Sequence, residues 1–354
     1  MKKTLCLKVP KKLGSKAILV IRNLSLLNHK LVIKREDDFV IIPLSKKPNR
    51  HELSMFRAEL QKFEMTSDIF QQRNIKLKNI REVLINQLPP QLIKKLPRSM
   101  DMIGTVALVD IPPELENYKY LLGEAILKVN RGVNEVLAKV GAVVGKRRIR
   151  KFESIAGNGR TETVYKEYGC TYILDPTKVY FSPRLSKERW RITQKVSAGE
   201  VVIDMFAGVG PFSIQLAKKN KHGKVYAIDV NPDAIRFLSM NTSTNHVFNV
   251  FPILGDARDV IKSTLEGKAD RVIMNLPESA IHFIDSACLS LKSQGGIIHY
   301  YGFEAEPNIF EKAEEKLCRE VKRSGRFLKR VLDSRVIRSI APHEWQIAID
   351  FLIC

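Results

Sequence analysis

Little in this chain of 354 residues ties it to a metal, an oxidising compartment or a bilayer. Its five cysteines, at positions 6, 170, 288, 318 and 354, include no C-x-x-C pair, so neither a zinc site nor a disulfide framework is implied. The seven histidines show no metal-ligand spacing. No apolar run reaches the roughly 18 residues that a membrane span needs. Lys8 and Pro10 cut the first apolar stretch too short for a signal peptide. No internal repeat or low-complexity segment is present. These absences lead us to expect a reduced, cytoplasmic protein without a metal. Acids are scarce too: 38 Asp and Glu face 59 Lys and Arg, a net charge of +21. Such an excess points to a polyanionic partner, nucleic acid before a membrane surface, the plainer alternative being a lysine-rich exterior.

Hydrophobic and charged contents of 44% and 27% are those of a soluble globular protein, and the length favours two or three domains. Residues 1–72 read as a small α/β unit: a strand at Leu5–Val9, a helix at Ser15–Leu24, then strands near 30–34 and 39–43. A polar connection punctuated by Pro89, Pro90 and Pro97 leads to a second unit, so that 73–176 forms a basic, RNA-binding or connecting domain. There we expect a strand from Ile103, a helix over 119–140, a basic strand over 143–151, and strands over 165–175 and 179–181. Residues 177–354 alternate strand and helix as a doubly wound parallel sheet does. Its expected strands are 201–205, 224–229, 250–254, 271–275 and 296–301, closed by an antiparallel hairpin (334–340 and 345–353) turning at Pro342. The fold class is α/β: a Rossmann-like, class I methyltransferase sheet behind two smaller α/β or α+β domains.

The stretch Val201-Val-Ile-Asp-Met-Phe-Ala-Gly-Val-Gly-Pro-Phe reads as a buried strand ending in an acid, a glycine turn and a helix beginning at Pro211. Gly208 and Gly210 let the backbone approach a ligand. A dinucleotide site would bring a pyrophosphate to the helix N-terminus, where Asp204 would repel it. The third glycine of G-x-G-x-x-G is also missing, with Ser213 in its place. A ligand with a sulfonium and an ammonium, S-adenosylmethionine, suits Asp204 better. Asp229 closes the next strand about 20 residues later, where an acid holds ribose hydroxyls, and Asp256 closes the third, within reach of an adenine amino group. Each could also be a helix N-cap. Ligands of such sheets bind at the carboxyl ends of the strands, so these acids converge on one crevice.

Asn275-Leu-Pro-Glu closes the fourth strand, where a donor and acceptor on Asn275 could hold a base edge and Pro277 stiffens the turn. The plainer reading is a structural turn. No aromatic follows to stack on the base, which disfavours an exocyclic amine target. Ahead of the sheet, Ser182 is a candidate N-cap with Pro183 at the first helical position. Leu185, Glu188, Ile192 and Val196, spaced three, four and four, share one face of that helix. A carboxylate on an apolar stripe either pairs with Arg184 or Arg191 or projects into the crevice as a proton acceptor. Gly145-Lys-Arg-Arg-Ile-Arg-Lys carries five cations in seven residues, and Arg160 lies nearby. As a strand it would put Arg148 and Arg150 on one face and Arg147 with Lys151 on the other. That is either a solvated edge strand or a phosphate-contacting surface with one arginine reaching a base edge.

These motifs together resemble the tRNA (guanine-37) N1-methyltransferases of archaea and eukaryotes. The resemblance is carried by Arg148-Ile-Arg, Ile155-Ala-Gly-Asn-Gly-Arg-Thr, Lys178-Val-Tyr-Phe-Ser-Pro-Arg, the Asp204 glycine turn, Asn275-Leu-Pro and His299-Tyr-Tyr. The N-terminal Leu5-Cys-Leu-Lys-Val-Pro-Lys-Lys matches the family's small first domain, so the likeness spans the chain. It implies a monomer that docks on the tRNA elbow and anticodon loop and methylates a flipped guanine. Glu188 would be the proton acceptor, Arg148 the contact to O6, and Asn275 and Tyr180 the base-positioning residues. The implied cofactor contacts are Arg189, Asp204, Phe206, Gly208, Gly210, Asp229, Val230, Asp256, Ala257 and Asn275. The implied RNA contacts are Lys146, Arg147, Arg148, Arg150, Arg160 and Pro277. Glu278 departs from the lysine often found after Asn-Leu-Pro. Related scaffolds transfer an aminocarboxypropyl group or methylate carbon 7 of a wyosine intermediate. A non-catalytic RNA-binding protein is a further alternative, and a nicotinamide-dependent reductase is disfavoured by Asp204 and Ser213.

Overall fold

A computed structural model describes residues 3–72, 79–144 and 149–354 and divides the chain into two compact units, Met1–Lys78 and Asn79–Cys354. The first unit has β1 (Lys3–Pro10), α1 (Gly14–Asn23), β2 (Lys34–Arg35), β3 (Phe39–Pro43), α2 (Arg50–Leu60) and β4 (Glu64–Ile69). Its antiparallel sheet runs β2-β3-β1-β4, and the core beneath it includes Leu7, Val9, Ile21, Ile42, Phe56 and Leu60. Helix α2 and strand β4 go beyond the elements expected there. The helix had a legible start: Asn49 accepts from the Glu52 amide while the Glu52 carboxylate accepts from the Asn49 amide, a reciprocal cap.

The second unit opens with two short helices, α3 (Ile80–Leu84) and α4 (Pro90–Ile93), inside what sequence had suggested was an irregular connection. A four-stranded sheet follows in the order β5-β6-β7-β8, from β5 (Asp101–Ile103), β6 (Val106–Val109), β7 (Glu135–Val144) and β8 (Ile149–Gly157). Helix α5 (Lys119–Val129) crosses between the parallel β6 and β7. It therefore stops well short of residue 140. Asn130 ends it, both its amide and its side-chain nitrogen donating to the Ile126 carbonyl, and 135–140 pair with β6 and β8 instead. The expected strand at 165–175 is a hairpin, β9 (Thr163–Glu167) with β10 (Cys170–Leu174). Its turn residues Tyr168 and Gly169 both have positive φ (44° and 72°), as a tight two-residue hairpin turn requires. Residues 179–181 are not a strand. The helix after them begins one turn late: Pro183–Leu185 form a 3-10 turn with no side-chain cap from Ser182, and α6 spans Ser186–Lys195.

The large sheet has the order β13-β12-β11-β14-β15-β17-β16. Its parallel strands are β11 (Val201–Asp204), β12 (Lys224–Asp229), β13 (Val250–Leu254), β14 (Arg271–Met274) and β15 (Gly296–Ala305). Connecting helices are α7 (Pro211–Lys219), α8 (Pro232–Thr244), α9 (Ala257–Val260), α10 (Ile284–Ser290) and α11 (Ile309–Arg323). The closing hairpin, β16 (Leu328–Ala341) and β17 (Glu344–Ile353), places β17 antiparallel between β15 and β16. Val202, Ile203, Val225, Val272, Ile298 and Phe351 are completely buried, as strands covered on both faces must be.

Candidate active site

The carboxyl ends of β11, β12, β13 and β14 open on a cleft of about 380 Å³. Its first wall is the turn between β11 and α7. Gly208 and Gly210 sit there at φ +57° and +86°, a region that side chains resist, and a Cβ on Gly210 would collide with Leu238. Asp229 ties this turn to the end of β12. One carboxylate oxygen accepts from the Gly208 amide at 2.7 Å and the other from the Asn231 amide at 2.8 Å. Burial raises its pKa, against those amide contacts. Asp256 is the helix N-cap weighed for it, capping α9 through the Arg258 amide at 3.0 Å, and it also lines the cleft.

Gly208, Asp229 and Asp256 are joined in the lining by Arg189, Phe206, Val230 and Ala257. Tyr180, Asn275 and Pro277 line it as well. Phe206 stands edge-on to Phe283 at 5.0 Å. Arg189 is 1% exposed and forked onto Glu167 at 2.6 and 2.7 Å, with a third donation to the Ser182 carbonyl. Asn275 ends β14 with its Oδ1 buried and without a hydrogen-bond partner among the described residues. Buried acceptors are seldom left so, and this one stands in the cleft wall where a ligand donor would satisfy it. An open backbone cradle, two acids at adjacent strand ends and an unsatisfied amide oxygen together fit a nucleoside-bearing cofactor and a hydrogen-bonding substrate.

Gly210, Asp204 and Glu188 are outside the lining. Asp204 lies beneath the turn, fully buried, taking the Ser213 hydroxyl on Oδ2 at 2.7 Å, while Oδ1 meets no hydrogen-bond geometry among the described residues. Ser213, in place of a third glycine, thus serves the acid under the turn. Burial pushes the Asp204 carboxyl up to about 7.

Glu188 is 7% exposed and held by three donors. Arg191 reaches Oε1 at 2.8 Å, the Tyr301 hydroxyl reaches it at 2.7 Å, and Arg335 donates to both oxygens. Burial raises its pKa, and Arg191 and Tyr301 oppose the rise. The pairing with Arg191 weighed from sequence is present; Arg184 instead pairs with Asp101. Behind this cluster Asp350 accepts from Arg191 at 2.8 Å, Lys195 at 2.9 Å and His299 Nδ1 at 2.7 Å. Burial alone would raise Asp350; its hydrogen bond to His299, then the charge of Arg191 and the contact with Lys195, hold it well below the usual carboxylate range. Arg271 can only donate, so the His299 Nε2 it meets at 2.7 Å is an acceptor and the proton sits on Nδ1. Burial lowers the His299 pKa, in keeping with a neutral ring.

Of the basic residues singled out in the sequence, Lys146, Arg147 and Arg148 lie outside the described residues. Arg150 donates to the Gly141 carbonyl at 3.0 Å, and Arg160 is exposed. Three lining residues had no signal in the motifs: Phe303 on β15, Arg338 on β16 and Gln346 on β17. They share one row across the sheet, Phe303 opposite Gln346 and Gln346 opposite Arg338. Only strand register, not local sequence, could have revealed them.

Three family models match successive parts of the chain. Residues 163–328 match the TRM5/TYW2 methyltransferase domain, 80–161 the TYW2 N-terminal domain, and 6–52 the tRNA methyltransferase 5 N-terminal domain. The chain is 41% identical over 350 residues to the tRNA (guanine(37)-N(1))-methyltransferase Trm5b of Pyrococcus abyssi, covering 99% of each. It superposes on aTrm5 solved in complex with tRNALeu with a TM-score of 0.81 at 36% identity, covering 99% of this chain and all (100%) of that one. A Pyrococcus horikoshii tRNA(Phe) (4-demethylwyosine(37)-C(7)) aminocarboxypropyltransferase is 35% identical over 275 residues, which are 77% of this chain and 96% of that protein. The chain belongs to the TRM5/TYW2 methyltransferase family.

Proposed function

We propose that this protein methylates N1 of guanosine 37 in tRNA, taking the methyl group from S-adenosylmethionine. The observation that carries this reading is full-length similarity to a guanine-37 N1-methyltransferase, first unit included, where the aminocarboxypropyltransferase relative leaves about a quarter of the chain unmatched. S-adenosylmethionine supplies the methyl on a sulfonium that departs as a neutral thioether. Asp229 is placed for the ribose hydroxyls and Asp256 for the adenine amino group, with Gly208, Phe206, Val230 and Ala257 packing around the nucleoside. Asn275 presents its unsatisfied oxygen to the guanine edge, and Tyr180 and Pro277 flank it.

Guanine N1 carries a proton and cannot attack until it leaves. Glu188 accepts that proton, and the negative charge gathering on O6 is met by Arg148, an oxyanion-type contact. Glu188 sits one row behind the cleft wall, where burial raises its pKa against the opposing pull of Arg191 and Tyr301. In this reading 1–72 holds the tRNA elbow, 73–176 grips the anticodon loop with Lys146, Arg147, Arg150 and Arg160, and 177–354 performs the transfer as a cytoplasmic monomer. The test is direct: unmodified tRNA transcript is incubated with methyl-labelled cofactor, digested, and the labelled nucleoside identified. 1-Methylguanosine at position 37 is the expected product. tRNA that takes no methyl label, the methyl remaining on the cofactor's thioether while the aminocarboxypropyl group is transferred, would overturn the reading.

A further inference from the structure

Each guanidinium in the cleft lining has partners that define its use, and one is left with capacity to spare. Arg189 is spent on Glu167, and Arg258 lies 3.8 Å above the Phe283 ring and 3.9 Å from Asp256. Arg338 is half-buried and donates its Nε to the Gln346 side-chain oxygen at 2.8 Å. Among the described residues it pairs with no carboxylate, so both terminal nitrogens are uncommitted. Gln346 is 1% exposed, so the amide that aims Arg338 is itself fixed by its surroundings. A cation pre-oriented by a buried amide and left uncompensated in a cleft is a receptor for an anionic oxygen.

The sheet order says which anion. Asp229 and Asp256 stand at the ends of β12 and β13, on one side of Asn275 at the end of β14. Arg338, Gln346 and Phe303 stand on the other side, on β16, β17 and β15. The nucleoside of the cofactor belongs to the first side, so the second faces what the cofactor reacts with. A nucleotide drawn out of a strand carries its phosphates with it to the rim of the pocket that takes its base. We propose that Arg338, oriented by Gln346, binds a backbone phosphate of the nucleotide whose base enters the cleft. This rests on the RNA-methylation reading above. The competing source of an anionic oxygen is the carboxylate of the cofactor.

The experiment compares Arg338→Gln, Arg338→Lys and Gln346→Glu with the parent, each checked for fold by circular dichroism. Gln346→Glu supplies Arg338 with a carboxylate partner and so consumes its charge without removing it. Three quantities are read: tRNA affinity across a salt series, cofactor affinity by calorimetry, and single-turnover rate at saturating tRNA. Loss of one phosphate contact lowers tRNA affinity by about tenfold or more and reduces the steepness of the log–log salt dependence by about 0.7. We expect that from Arg338→Gln and Gln346→Glu, with Arg338→Lys keeping the salt slope and cofactor affinity staying within about twofold. An unchanged salt slope in Arg338→Gln overturns the proposal. So does weakened cofactor binding with unaltered tRNA affinity, which would assign Arg338 to the cofactor carboxylate. A parent protein that binds tRNA but does not methylate it would defeat the functional reading while leaving the salt series interpretable.

Discussion

As the proposed proton acceptor, Glu188 combines two demands that oppose each other. A base must accept a proton, yet this carboxylate accepts from two guanidiniums and a phenol. Burial settles the balance, lifting its pKa above the ordinary carboxylate value. The rate of methyl transfer should therefore rise with pH through an inflection above about 4.3, the value of a free glutamate. Glu188→Gln should flatten that limb and lower the single-turnover rate by about a hundred- to ten-thousand-fold, with cofactor affinity unchanged. Chemistry at the parent rate in that variant would remove Glu188 from the mechanism. Asp204 answers to the same physics with a different readout. Its folded pKa of about 7 lies above its unfolded value, so the native state binds the extra proton between roughly pH 4 and 7. The stability this contributes is present at the acidic end and lost as pH rises to 7. Asp204→Asn should cancel that slope, so the variant gains on the parent between pH 5 and pH 8 in thermal melts without cofactor.

Alternate residues of β15 and β17, with their partners on β16, which has a register shift between Val336 and Arg338, form three rows across the sheet. The first row holds His299, Asp350 and Asp333, the second Tyr301, Ala348 and Arg335, and the third Phe303, Gln346 and Arg338. Rows two residues apart lie about 7 Å from each other. Helix α6 lies along them, Lys195 and Arg191 against the first and Glu188 against the second. The third is cleft wall. Tyr301→Phe takes one donor from Glu188 with little change of shape and should move the pH–rate inflection upward, leaving tRNA affinity alone. An unmoved inflection would show that the hydroxyl does not tune the base. In the glycine turn, Gly210→Ala meets both a positive φ and Leu238, whereas Gly199→Ala has φ +83° but open space. Gly199→Ala should cost about 1–2 kcal/mol and Gly210→Ala more, as read by chemical denaturation.

Strands buried on both faces are legible, because they are apolar runs that end where polar ligand groups begin: β11, β12, β13 and β14 fell within a residue of their observed ends. The closing hairpin was legible too, with β17 within a residue of its expected ends, but β16 begins six residues before its expected start, at Leu328. Helix α5 was overrun because Val136, Ala138 and Val140 continue an apolar pattern that the pairing with β6, not local propensity, converts to strand. The hairpin of β9 and β10 was missed because Tyr168 hides a positive-φ turn. Asp229, Asp256 and Asn275 announce themselves by position at strand ends. Arg335 and Arg338 do not, since nothing short of register places them beside Glu188 and the cleft.

At the scale of the whole molecule, a net charge of +21 makes association with RNA an ion-exchange event. The affinity for tRNA should fall by at least about tenfold between roughly 50 and 200 mM salt, while cofactor affinity, set inside the cleft, should barely respond. A flat salt profile for tRNA would mean that the basic surface does not carry the interaction.

Strand β17 is last in chain order but sixth of seven across the sheet. A growing polypeptide therefore presents β15 and β16 before the strand that joins them exists. Until Gln346 and Asp350 have left the ribosome, the nascent protein has its glycine turn and the cleft acids Asp229 and Asp256 but neither the rows that flank Glu188 nor the amide that orients Arg338. In the proposed reading, the segments assigned to the methyl donor are thus synthesised before those assigned to its use.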